Sequence, residues 1–235
     1  MNWLGPAEWA IIALSLKVSA VAILGILPLA FALAWVLARK SFPGKVLVDA
    51  TVHLPLVLPP VVTGWLLLLA FGRSGPVGQL LEDWFGISLV FRWTGAALAA
   101  AIMALPLMVR AIRLSLENID PRLEGVARTL GAGKWRIFVR VTLPLSLPGV
   151  LAALVLGLAR SLGEFGATIT FVSNIPGETR TLPLAIYTAL QVPGGEAAVT
   201  RLALVSVFIS LAALAFSEWL ARRSGSRRGG ASHVL

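Results

Sequence analysis

The chain has 235 residues, of which 57% are hydrophobic and only 13% charged, and its mean hydropathy is +0.87. Soluble domains carry about a quarter charged residues, so this composition excludes an ordinary soluble protein and points to one embedded in a membrane. The net charge of +9 does not indicate nucleic acid, because long apolar runs separate the basic residues; the absence of cysteine excludes disulfides and thiolate metal sites.

A helix needs about 20 apolar residues to cross the hydrocarbon core of a bilayer. Five runs qualify: Ile11 to Leu37, Val52 to Phe71, Thr94 to Met108, Leu145 to Leu162, and Leu202 to Leu220, the third and fourth extending into their flanks. The start, "MNWLGPAEW", lacks a basic region, and the run after it is too long for a signal peptide, so it is expected to stay as a span. "LPL" occurs in or beside each of the first four runs, and again at Leu182. Proline fits the first turn of a helix, whereas Pro28 and Pro106, lying mid-run, predict kinks. Leu182 to Leu190, bounded by Pro183 and Pro193, is too short to cross and is expected to lie on or dip into the membrane surface. The membrane-embedded body is therefore expected to cover residues 1–222, and residues 223–235 to form a basic, disordered tail.

Basic residues set the expected orientation. Fourteen fall on one side: Arg39, Lys40 and Lys45 in the first loop; Arg110, Arg113, Arg122, Arg128, Lys134, Arg136 and Arg140 in the third; and Arg222, Arg223, Arg227 and Arg228 in the tail. Only four, Arg73, Arg92, Arg180 and Arg201, fall on the other. The positive-inside rule places the larger set in the cytoplasm, with the N-terminus outside and the C-terminus inside.

Residues 117–143, between the third and fourth runs, are polar and basic. Asp120-Pro121 marks a helix start, with the acid as N-cap and proline at the first helical position. Glu124 falls in the first turns, where a negative charge suits the helix dipole, and Gly131 predicts an end near Leu130. In "KWRIFVRV", Ile137, Phe138 and Val141 share one face, predicting a further amphipathic turn or two before Pro144 and Pro148 open the next span. "GAGK" is not a phosphate loop. Arg128 and Trp135 stand where that motif requires Gly and Ser or Thr, and no strand precedes it.

This segment resembles the cytoplasmic coupling loop of permease subunits in binding-protein-dependent ABC importers. Their motif reads Glu-Ala-Ala, three residues, Gly, nine residues, Ile, one residue, Leu-Pro. Aligned on Gly131, the chain supplies Val141 and then Leu143-Pro144; the triplet is Gly125-Val126-Ala127, with Glu124 one place early. Together with "RKSFPGK", "HLPLVLPPVVTG", "LPLMVRAIR" and "ARSLGEFGATITFVSNIPGETRTLP", it is similar to the molybdate permeases of that class over roughly residues 8 to 222.

The resemblance implies an all-α transmembrane fold of the type I importer class, with about five spans and a coupling helix, in a bacterial inner membrane. It implies a homodimer working with two ATP-binding cassette subunits and an external oxyanion-binding protein. ATP and Mg would sit on the partner ATPase, with no cofactor in this chain and no nucleic acid as partner. Glu124, Ala127, Arg128, Thr129, Leu130, Gly131 and Ala132 would serve ATPase coupling. Sulfate, thiosulfate and tungstate are the rival cargoes. A membrane-anchoring subunit of an enzyme complex is a rival of another class, disfavoured by the absence of paired His and clustered acids. A secondary transporter is disfavoured by the lack of repeated halves.

Three residues are candidates for a translocation path: Arg160, Ser161 and Glu164. Arg160 and Glu164 stand four apart on one helix face, and charges at membrane depth are functional candidates by default. Two roles are open to the pair: Arg160 offers an anion a favourable potential, or the pair is a structural brace. Gly163 and Gly166 permit close helix approach or a break. Lys17 is expected to snorkel outward, and His53 to be a hydrogen-bonded helix-end residue. "SNIPGETRTLP" reads as an external turn-rich loop, either a docking surface for a binding protein or an ordinary connection.

Overall fold

A computed structural model describes residues 3–225 of the chain, and within these it contains helices and no strand. Helix α1 (Pro6–Arg39) starts with proline at its first turn, and Glu8 reaches back to accept a hydrogen bond from the Gly5 N–H at 2.7 Å. Its 34 residues span about 51 Å at 1.5 Å per residue, more than the hydrocarbon core requires. Pro28 lies inside this helix without ending it.

The second apolar run is not one helix. It divides into α2 (Lys45–Val57) and α3 (Pro60–Phe71), which meet at an angle of 117°. Pro59 forces Leu58 out of helical geometry (φ −70°, ψ 142°), and neither proline has an N–H to continue the ladder. Each half is shorter than a bilayer crossing, so they make one broken span or a re-entrant pair. A short helix α4 (Pro76–Phe85), which apolar run length did not reveal, folds back against the end of α3. A Cβ on Gly78 would stand 2.7 Å from the Phe71 carbonyl oxygen, so this approach requires glycine.

Helix α5 (Trp93–Glu117) is the centre of the bundle. Ala96, Ala97, Ala99, Ala100, Ala101 and Ala104 are all buried, and such small side chains let α1 and the later helices pack close along it. After α6 (Pro121–Thr129), the chain forms α7 (Lys134–Ile137), a π turn (Phe138–Thr142) and α8 (Leu143–Leu162). These three make a single 29-residue helix rather than an amphipathic turn followed by a separate span. The π turn arises where Pro144 removes a donor: the Leu143 N–H reaches five residues back to the Phe138 carbonyl.

Of the two outcomes that Gly163 and Gly166 permit, the break is present: α8 ends at Leu162 and α9 (Gly166–Val172) follows. Helix α10 (Leu182–Leu190) has the bounds expected from sequence, and at nine residues it cannot cross. It lies between α1 and α11 (Glu196–Gly225). Helix α11 continues through Arg223 to Gly225, so the expected tail begins inside a helix; residues 226–235 lie outside the described part. Among the described residues, four helices are long and apolar enough to cross a membrane, and the bent pair makes a fifth crossing if counted as one.

Two apolar clusters stack along α5. One, with Val18, Ala22, Ala100 and Phe171, lies towards the α9 end; the other, with Ala30, Leu37, Met108, Ile112 and Leu116, lies towards the α6 end. The fit is tight between α3 and α9, where a Cβ on Gly64 would come within 2.6 Å of the Ala167 carbonyl oxygen. Gly64→Val is expected to cost about 1–3 kcal/mol by overpacking. Gly25→Val, at a position with nothing within 4 Å, should lack this overpacking cost. Thermal unfolding of the two variants in detergent, compared with the parent, checks the difference.

Candidate functional site

Helix α6 is built by local signals. The Asp120 side chain accepts a hydrogen bond from the Arg122 N–H at 2.9 Å, and Pro121 follows it. At the other end the Ala132 N–H bonds to the Ala127 carbonyl and the Gly131 N–H to the Arg128 carbonyl, while Gly131 sits at φ +79°. This is a Schellman closure, and the left-handed position in it favours glycine. The expected N-cap and the expected terminator are therefore both present.

Helix α6 is exposed over most of its surface, its apolar stripe included. Leu123, Val126 and Leu130 are 47%, 58% and 82% exposed, and α6 buries no residue completely. Arg128 and Thr129 are also exposed, with Thr129 Oγ1 donating to the Val126 carbonyl; Ala127 and Ala132 are half-buried. Glu124, the only acid in the helix, turns inward, its side chain 19% exposed. Its Oε1 lies 3.1 Å from Arg39 Nη2 at the end of α1 and accepts a hydrogen bond from Thr142 Oγ1 at 3.1 Å. Beside it, Trp135 stacks on Phe138, and Phe138 meets Phe31 of α1 edge-on at 5.9 Å. Among the described residues nothing covers this apolar stripe, which is the pattern of a surface that docks on something else.

The other candidate group lies around the break after α8. Arg160 Nη1 is 2.7 Å from Glu164 Oε2, and Glu164 Oε1 accepts a hydrogen bond from the Ala167 N–H at 2.8 Å. Glu164 thus holds the first turn of α9 while pairing with Arg160. Its side chain is only 2% exposed, against 24% for Arg160. Ser161 does not line an open surface as a path residue would. It is buried and donates to Ser19 Oγ of α1 at 3.0 Å. Ser15 Oγ receives the Leu182 N–H at the start of α10. Ser15, Ser19, Ser161, Glu164, Thr168 and Thr181 enclose a cavity of about 10 Å³, room for roughly one water. Of the three path candidates only Arg160 reaches the surface of the chain.

Lys17 does not simply reach outward: its Nζ stands 3.7 Å over the Trp93 ring. His53 lies within α2, its Nδ1 2.9 Å from the Asp49 carbonyl oxygen. Asp49 in turn accepts a hydrogen bond from Arg113 of α5 at 3.1 Å, tying the two helices together, a link that sequence reading missed. In the loop after α9, Thr179 Oγ1 donates to the Ser173 carbonyl and accepts from the Ile175 N–H, and Asn174 bonds both Arg180 and Thr188. Ser173 has φ +64° and ψ −168°, a conformation almost confined to glycine, so this ordered loop carries strain.

A broken helix pair, a short exposed helix between two long helices and a central α5 make this a polytopic membrane protein. Residues 25–226 match the family of binding-protein-dependent transport system inner membrane components, and the chain belongs to that family. It is 60% identical over 222 residues to the molybdenum transport system permease protein ModB of Escherichia coli, covering 94% of this chain and 97% of that one. It is 38% identical over 195 residues to the sulfate transport system permease protein CysW of Synechocystis, covering 83% of this chain and 70% of that one. A bacterial alginate ABC transporter crystallised with its substrate-bound periplasmic protein has the same fold, with a TM-score of 0.74 at 22% identity over 93% of this chain and 80% of that one.

Proposed function

We propose that the chain carries molybdate inward as one half of a permease homodimer, driven by ATP that a separate subunit hydrolyses. The observation that carries this reading is α6, whose exposed Leu123, Val126 and Leu130 form a ready contact for an ATPase subunit. Membership of the importer family supports both the ATPase and an external binding protein as partners. The 60% identity to a molybdenum permease, against 38% to a sulfate permease, favours molybdate over the rival oxyanions. In this assembly α6 and the basic loops face the cytoplasm, and the strained Ser173 loop faces outward, towards the binding protein. Arg160 lines the path only as the exposed member of a brace, and selection of the anion rests chiefly with the binding protein.

Proteoliposomes containing this chain, its ATPase partner and a molybdate-binding protein should take up molybdate only with ATP inside. Sulfate uptake as fast as molybdate uptake under these conditions would overturn the assignment of cargo. A reporter fused after Arg223 should read cytoplasmic and one inserted at Gly177 external, because basic loops remain on the cytoplasmic side. Both reading the same side would refute the five-crossing arrangement.

A further inference from the structure

Helix α6 buries no side chain completely, so apolar packing does not fix its position against the bundle. Among the described residues, its only side-chain hydrogen bond or ion pair to another element is made by Glu124. One carboxylate oxygen, Oε1, takes both contacts: Arg39 Nη2 from the last residue of α1, and Thr142 Oγ1 from the last residue of the π turn that leads into α8. Arg39 is 18% exposed, so the pair is shielded from water enough for the charge to matter. The arrangement places a single acid where three elements meet.

We propose that Glu124 is a positioning residue that pins the coupling helix to the ends of α1 and α8, so that movement imposed on α6 is delivered to both spans. The inference rests on the reading of α6 as the ATPase contact. The acid faces away from the surface that would meet the ATPase, so it transmits force rather than recognising the partner. A helix joined to the bundle only through its connections would move under load without carrying the spans along; a charged three-way contact makes it part of one rigid body. The π turn contributes here. Its wider turn sets where Thr142 falls around the helix, on the side facing Glu124.

The test uses the full transporter in nanodiscs and proteoliposomes, with molybdate as cargo. Glu124→Ala should still assemble with the ATPase subunits and hydrolyse ATP. The molybdate carried per ATP should fall about tenfold, the factor that matches loss of one charge-assisted contact. Thr142→Val should fall less. Exchanging the charges, Arg39→Glu with Glu124→Arg, should restore much of the ratio, while Arg39→Glu alone should not. Hydrogen exchange of the α6 amides should quicken in Glu124→Ala and slow again in the exchanged pair, a readout that does not depend on transport. Failure of the unaltered transporter to move molybdate would sink the functional reading and leave the exchange result to decide the pin. An unchanged molybdate-to-ATP ratio with unchanged α6 exchange would overturn the pin, as would loss of ATPase binding in Glu124→Ala.

Discussion

Gly131→Val is expected to insert in the membrane and dimerise but to lose transport and transport-stimulated ATP hydrolysis. At φ +79° a β-branched residue meets its own backbone, although nothing else lies within 4 Å of the added Cβ. The cost is therefore conformational and local, about 1–3 kcal/mol. That penalty falls on the two hydrogen bonds of the Schellman closure, from Gly131 to the Arg128 carbonyl and from Ala132 to the Ala127 carbonyl. Opening them frays the end of α6 that presents Leu130, so a penalty of this size would reduce the docked population by about fivefold to a hundredfold. Gly131→Asn, a residue that tolerates the left-handed region, should retain most activity. Uptake and ATPase rates in proteoliposomes, normalised to assembled transporter, decide the matter. Normal uptake by the valine variant would remove the closure from the account.

Arg160→Gln is expected to lower the amount of folded protein more than Glu164→Gln does. The asymmetry follows from burial. Removing Arg160 strands a carboxylate that is 2% exposed and keeps only the Ala167 N–H as a hydrogen-bond donor. Breaking a buried ion pair from one side costs about 3–5 kcal/mol, enough to unfold a marginal protein. Removing the charge of Glu164 leaves a guanidinium that is 24% exposed, and the Gln amide oxygen can still accept from Ala167. The double Gln variant has no charge to strand and should recover most of the folded protein. Protein level and molybdate uptake per folded transporter, measured for the two singles and the double, separate the roles. Wild-type levels of folded Arg160→Gln without uptake would make Arg160 a direct anion contact; recovered uptake in the double variant would exclude one.

The signals that could be read from sequence are those a few neighbouring residues settle among themselves. Hydropathy located every apolar run because the bilayer constrains each 20-residue window separately. Asp120-Pro121 and Gly131 marked the ends of α6 because helix caps are satisfied within one turn, and the prolines flanking Leu182–Leu190 did the same for α10. The family resemblance was legible for the same reason, since each of its motifs lies in one short stretch of chain.

Tertiary structure decided what depends on partners far along the sequence. An apolar count could not show that Pro59-Pro60 divides the second run at 117°, because hydropathy is blind to chain direction. Nor could sequence show that Ser161 donates to Ser19, 142 positions away. The direction of α6 is the clearest case. Its pattern says only that apolar and charged residues fall on different faces, and the usual expectation turns the apolar face inward. Here Arg39 and Thr142 draw the acid inward, and the apolar face is left outside for another protein. Amphipathicity is a local property of the helix, whereas which face is buried depends on what surrounds it.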